Sequence, residues 1–200
     1  MIKSDIVKVR VSSLIKGAKI IEETRLNDGG YCVKVRLPLF GANNSVASAV
    51  LPEATKDIVP APVPPVSATT TTLSPVQIQQ VMAVAYSGVV IDASGLGLKP
   101  TFSPNIQDTN GRIVYGMQNI DKNFAISHGM VEYSKDIQKA SGGTTRAGAN
   151  PLVIKAVAVK SGANSVNPVN VVVSVEDADK ILFANQQSQM LSKCAVVFVR

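Results

Sequence analysis

The sequence predicts an α+β fold, a two-layer arrangement of a mixed sheet with helices, preceded by an N-terminal helix and β-hairpin that read as a partial domain. Three observations carry this prediction. Short apolar runs are bounded by Gly, Asn and Asp turn residues, Asp-Gly and Asn-Gly steps mark hairpins, and helical and strand patterns follow one another without strict βαβ repetition. The 200 residues suffice for one ordinary domain or two small ones.

The first zone, residues 1–51, holds eight Lys or Arg against four acids, a net +4 within a total of +6. Ser4 is a suitable N-cap, and Val7, Val11, Leu14 and Ile15 share a helical face up to Gly17. Alternation of Val7, Val9 and Val11 with Lys8 and Arg10 supports a strand as the competing reading. From Lys19 the period is two: Ile20 to Leu26, a turn at Asn27-Asp28-Gly29-Gly30, then Tyr31 to Leu39, a β-hairpin. Tyr31, Val33, Val35 and Leu37 are expected to face a core, with Cys32, Lys34 and Arg36 opposite. A two-stranded sheet is marginal in water. This zone therefore needs further strands, from the C-terminal zone, from another subunit or from a missing part of its own domain.

Residues 52–75 hold six of the eleven prolines and four consecutive threonines, the composition of an extended linker. The third zone, residues 76–200, is the main α+β domain. Ser74-Pro75-Val76-Gln77 combines an N-cap, a first-turn proline and a capping-box Gln, opening a helix to about Ala85. Gly88 to Ala93 is a buried strand, and Asn105 to Gly116 a hairpin turned at Asp108-Thr109-Asn110-Gly111. Asp121 to Ser127 and Met130 to Ala140 read as helices. Leu152 to Lys160 and Val169 to Ser174 read as strands, Glu176 to Leu191 as a helix, and Cys194 to Val199 as a last buried strand.

Composition excludes most chemistries. One His and two Cys cannot build a zinc site or a disulfide framework, and aromatics at 4% without Trp do not equip the chain for single-stranded nucleic acid. No cofactor, metal, nucleic acid or catalytic activity is expected. Glu132 and Asp136 would stand one turn apart on a helix, a pattern typical of a solvated face. An active site would require Asp92, His128, Glu132 and Arg146 to converge. Cys32 and Cys194 read as free thiols, a disulfide joining the first zone to the last being the alternative.

Two surfaces stand out. Asp92, Ser94, Gly95, Gly97 and Lys99 form a loop after a strand, which Arg146 and Asn150 could join from the turn before the next one. That loop is the candidate contact for a partner or ligand. Lys8, Arg10, Lys34 and Arg36 form a candidate patch for a polyanion.

The step Gly17, Ala18, Lys19, Ile20, the Asp28-Gly29 turn and the closing Val35, Arg36, Leu37, Pro38, Leu39 resemble the small domain of bacterial outer-membrane lipoproteins of roughly twenty kilodaltons, related to the N-terminal domain of flagellar assembly protein T. The run YSGVVIDASGLGLKPTFSPNIQDTNGRIVYG is similar to a segment of uncharacterised exported bacterial proteins. Together these cover about a third of the chain. The resemblance implies a non-catalytic cell-envelope protein, periplasmic or extracellular, with a structural or assembly role. Its partners would be other envelope proteins, or copies of itself meeting at exposed strand edges. Attachment to a membrane would come only through an N-terminal anchor preceding this sequence. A binding module for an anionic cell-wall or surface polymer is the alternative.

Overall fold

A computed structural model describes residues 18–41, 44–50, 62, 73–162 and 166–200. The chain divides into two units, residues 1–54 with 126–128, and residues 55–125 with 129–200. The fold is α+β.

In the first unit, β1 (Lys19–Arg25) and β2 (Tyr31–Arg36) pair antiparallel, Arg25 facing Tyr31 and Lys19 facing Arg36. The turn closes because Gly29 takes a left-handed φ of 87°. There the Gly29 N–H donates to Leu26 O at 3.1 Å, the Leu26 N–H donates to Gly30 O at 2.8 Å, and the Asp28 carboxylate accepts the Gly30 N–H at 2.9 Å. A short helix, α1 (Val46–Val50), follows, with its Val46 and Ala47 N–H groups on the carbonyls of Pro38 and Leu39. Tyr31, Val33 and Val35, expected to face a core, are exposed instead, because the described residues place no second layer over that face. The expected helix from Ser4 to Gly17, and nearly all of the linker 52–75, lie outside the described residues.

The second unit begins with α2 (Pro75–Met82), whose Ser74 and Gln77 form the full capping box. Two four-stranded sheets follow. The first is wholly parallel, built from β3 (Gly88–Asp92), β6 (Glu132–Ser134), β7 (Pro151–Lys155) and β10 (Val196–Val199) in the order β6-β10-β3-β7. The second is mixed: β4 (Ile106–Asp108) and β5 (Ile113–Tyr115) form the hairpin, β9 (Pro168–Val173) runs parallel to β4, and β8 (Ala158–Ser161) closes it antiparallel, in the order β5-β4-β9-β8. Val89, Val90, Ile91 and all of β10 are buried, as expected of a parallel sheet covered on both faces.

One face carries Val90, Val197 and Val199, packed with Ala140 and Ile137 of α4 (Ile137–Ser141) and with Ala147. The long helix α5 (Val175–Ser188) packs against β4, β5 and β7, with α2 beside it. Ser174 caps α5 by accepting the Asp177 N–H at 3.0 Å, and Gln189 ends it with a left-handed φ of 54°. Between the sheets the chain is almost uninterrupted: Ala156 donates to Asp92 O and Val157 to Val172 O, both at 2.8 Å. The expected strand Leu152 to Lys160 is therefore two strands, bent where it passes from one sheet to the other.

The expected helix Met130 to Ala140 is also corrected. Glu132–Ser134 is a strand, since ladder bonds to β10 outweigh an ambiguous pattern, and the chain turns helical only after Asp136. The Asp136 carboxylate accepts the N–H groups of Gln138 at 2.8 Å and Lys139 at 3.4 Å. Glu132 and Asp136 thus share no helix face. A further helix, α3 (Lys122–His128), is capped by Asp121.

A buried ion triad ties the β4–β5 hairpin to α5. Arg112 donates from Nε to Asp108 at 2.8 Å and from Nη2 to Asp179 at 2.6 Å, with both carboxylates almost fully buried. Burial opposes the Arg112 charge, but the two carboxylates outweigh it and hold the guanidinium above its usual pKa. Arg112→Ala leaves two buried carboxylates without their counter-ion and is expected to cost about 3–5 kcal/mol in denaturant unfolding. By contrast Lys180→Ala, which removes the surface pairs to Glu176 and Asp177, is expected to cost less than about 1 kcal/mol.

Candidate functional site

Parallel strands place the loop after β3 at the carboxyl end of their sheet, the edge where open α/β sheets bind ligands. Asp92 ends β3, and its carboxylate lies below the usual range because it accepts from the Ser94 hydroxyl and N–H, with Lys155 adding to the effect against a little burial. Gly95 and Gly97 take φ of 78° and 75° with open space around each missing Cβ, so backbone conformation alone explains them. Leu98 is buried, the Leu96 N–H donates to Ala93 O at 3.1 Å, and the Lys99 N–H donates to Pro168 O at 2.8 Å. The amides of Ser94, Leu96 and Lys99 are thus committed, and the Asp92 carboxylate repels an anion. What the loop offers outward is Ser94, both glycines and the Lys99 side chain.

Arg146 and Asn150 do not join this loop. They sit at the amino ends of the same strands, since Gly88 faces Pro151 while Asp92 faces Lys155. Four residues of strand put the two groups roughly 13 Å apart. There Arg146 donates from Nη1 to Gly129 O at 2.8 Å and its N–H donates to Glu132 at 3.0 Å. Asn150 donates its N–H to the Ser87 hydroxyl at 2.9 Å and its Nδ2 to Ala85 O at 3.2 Å. Ser87 in turn donates to Ala147 O at 2.6 Å. A Cβ on Gly88 would stand 2.5 Å from Ala195 O, so this end is packed solid. Asp92 on one side and Glu132 with Arg146 on the other do not converge on one pocket.

Beside Arg146, the Tyr115 hydroxyl donates to Met130 O at 2.6 Å. Burial pushes the Tyr115 phenol well up, and burial also raises the Cys194 thiol, offset in part by Tyr115 and Arg146. Cys32 is exposed and Cys194 buried, and both are free thiols.

An open cleft of about 270 Å³ runs along β6, lined by Glu132, Tyr133, Ser134, Lys135, Asp136, Lys139 and Thr145. Reading this stretch as a helix hid the cleft from sequence analysis; the Ser134 and Asp136 punctuation was its only signal. Its carboxylates are already employed, Glu132 on Arg146 and Asp136 as a helix cap. Among the described residues no group of three His, Cys, Asp or Glu could hold a metal ion, and no helix is long and apolar enough to cross a membrane.

The hairpin presents the other surface. Of the candidate polyanion patch, Lys8 and Arg10 lie outside the described residues. Lys34 is paired with Glu22 at 3.0 Å, which leaves Arg36 beside Lys19 as the basic part of that face. The opposite face carries Ile20, Tyr31, Val33 and Val35, exposed by 57%, 69%, 47% and 54%, together with Glu23 and Arg25, which pair with Val33 and Tyr31. On it Arg25 lies over the Tyr31 ring at 5.7 Å.

The parallel sheet, the mixed sheet and α5 together make up the region that matches a known family: residues 88–200 match the family described as Treponema pallidum Tp0624, second domain. The match spans more than half of the chain, and the chain belongs to this family. No curated protein matches it.

Gly95→Ala and Gly97→Ala are each expected to cost about 1–2 kcal/mol by urea unfolding, through backbone strain alone. Cys32 should react with a thiol reagent at once and Cys194 only on unfolding. Above about pH 9 the unfolded chain releases the Cys194 thiol and Tyr115 phenol protons, which burial makes the native chain retain, so stability falls as pH rises. Thermal unfolding between pH 8 and 11 should show this decline, and Cys194→Ala should flatten its onset.

Proposed function

We propose that this protein is a non-catalytic component of the bacterial cell envelope that works by docking another protein onto its N-terminal hairpin. The exposed apolar cluster of Ile20, Tyr31, Val33 and Val35, which shares its face with Glu23 and Arg25 of β1, carries this reading. Such a face in water is costly, and an exposed apolar patch on a strand pair is a surface made for association. The envelope setting draws its support from the resemblance of residues 4–41 and 86–116 to exported bacterial proteins. The second unit supports the non-catalytic part of the reading, because the candidate residues Asp92, Glu132 and Arg146 stand at opposite ends of the parallel sheet and the two acids of the β6 cleft are engaged by Arg146 and a helix start.

The loop from Asp92 to Lys99 is a secondary contact in this account, a rigid surface turn offering one cation and one hydroxyl. The anionic-polymer alternative rests on Lys19 and Arg36 once Lys34 is paired.

A photo-crosslinking amino acid at Val35, introduced in the bacterium that encodes the protein, should yield a protein adduct. The same probe at Val153, an exposed apolar position of the second unit, should not. The yield at Val35 should change little between low and high salt, since apolar contacts are not screened. Absence of an adduct, together with retention on an anionic polymer that collapses with salt, would favour the polymer alternative.

A further inference from the structure

The hairpin's two edges are not equivalent, and the difference selects a partner. In an antiparallel pair, successive residues point their backbone groups alternately at the partner strand and away from it. The Leu26 N–H points inward, to Gly30 O. Counting from there, Thr24, Glu22, Cys32 and Lys34 bond within the hairpin, while Glu23, Arg25, Tyr31, Val33 and Val35 turn their N–H and C=O outward.

The outer edge of β1 is ill suited to pairing. Its register shifts between Ile20 and Glu22, a bulge that breaks the regular spacing. A symmetric pairing centred on Glu23 would also set it against Glu23 of a second copy. The outer edge of β2 is regular and its three outward residues are uncharged. They are also the residues whose side chains form the exposed apolar face. Among the described residues nothing pairs with this edge.

We propose that the docking partner is a second copy of this chain, added antiparallel along the outer edge of β2 with a two-fold axis through Val33. This inference rests on the docking reading and specifies its occupant. In this register Val33 faces Val33 of the second copy and Tyr31 faces Val35 of the second copy, an aromatic with a β-branched residue, so the two β2 strands bring six apolar side chains together, flanked by Glu23 and Arg25 of each β1. About six backbone hydrogen bonds form, because each outward residue meets another outward residue.

On the polar face the charges agree with the same register. Lys34 stands opposite Cys32 of the second copy, so no like charges meet directly. Arg36 stands opposite Gly30 of the second copy, whose N–H holds the Asp28 carboxylate at 2.9 Å, and the symmetry gives this contact twice. The product is a four-stranded antiparallel sheet in place of a two-stranded one, which passes the size at which a sheet with an apolar face is stable. Its two-fold symmetry closes the assembly at a dimer.

The test uses the full chain. Light scattering and sedimentation should show a dimer that dissociates on dilution. Val33→Pro removes an outward N–H without touching a hairpin bond, and is expected to weaken the dimer about a hundredfold. Glu23→Pro, its counterpart on β1, should leave the dimer intact. Val33→Cys with Cys32→Ser should oxidise to a disulfide-linked dimer, since paired strands bring opposed Cα atoms within disulfide range.

A chain monomeric at every concentration overturns the proposal, as does a dimer dissolved by Glu23→Pro and spared by Val33→Pro. Ready formation of a Cys32–Cys32 disulfide, with no crosslink at position 33, would move the axis to Cys32 and overturn the register. The Val35 photoprobe separates this proposal from the reading beneath it. An adduct of another mass overturns self-pairing and leaves docking standing, whereas no adduct at all removes both.

Discussion

The structure of residues 73–200 depends on one short stretch of backbone, Lys155 to Ala158, that belongs to two sheets in succession. Up to Lys155 the strand pairs with β3; the Ala156 N–H still reaches Asp92 O, the Val157 N–H already reaches Val172 O, and from Ala158 the strand pairs with β9. A parallel sheet and a mixed sheet are thereby joined by main-chain hydrogen bonds. Helix α5 packs against strands of both, and Asp179 on it meets Arg112 in the hairpin of the mixed sheet. At this bend Ala156 is buried while Val157 is 52% exposed, so the chain turns one side chain into the protein and the next out of it.

The polar groups of this unit follow from that closure. Buried polar groups need partners, and here the partners are other parts of the frame. Buried Asp108 serves its own turn and Arg112; at the surface Asp121 and Asp136 cap helices, and Arg146 and Asn150 fasten the amino ends of the parallel strands. The described hairpin of the first unit has the reverse character. Its internal bonds and one surface ion pair are in place, yet Tyr31, Val33 and Val35 stay exposed and no further strand among the described residues pairs with its outer edges. The hairpin thus keeps exposed apolar side chains, while the buried carboxylates of the second unit are engaged by Arg112 within its own fold.

Much of this was legible in the sequence where the signal is local. The Asp28-Gly29 and Asn110-Gly111 turns announced their hairpins because a left-handed residue is needed there, and Ser74, Pro75 and Gln77 announced a helix start because each satisfies a backbone group within one turn. Long-range features were not legible. Met130 to Ala140 carries a pattern compatible with either period, and the ladder with β10, more than sixty residues later, decides it. The separation of Arg146 and Asn150 from the Asp92 loop follows from parallel pairing, which composition does not specify. Nor does spacing join Arg112 to Asp179 across 67 residues. The exposure of Tyr31, Val33 and Val35 was hidden for a related reason: alternation reports that a strand has an apolar face, but not whether the chain covers it.

Residue-resolved amide hydrogen exchange at several protein concentrations tests the account most directly, because it reads frame and free edge together. The account predicts that the amides of β3, β9 and β10 exchange with those of Ala156 and Val157 in one slow, cooperative step at every concentration. It predicts that Tyr31, Val33 and Val35 exchange fast when dilute and become protected as concentration rises, while Cys32 and Lys34 change little. Separate opening of the two sheets, or protection that rises at residues of the second unit and not at these three, would contradict it.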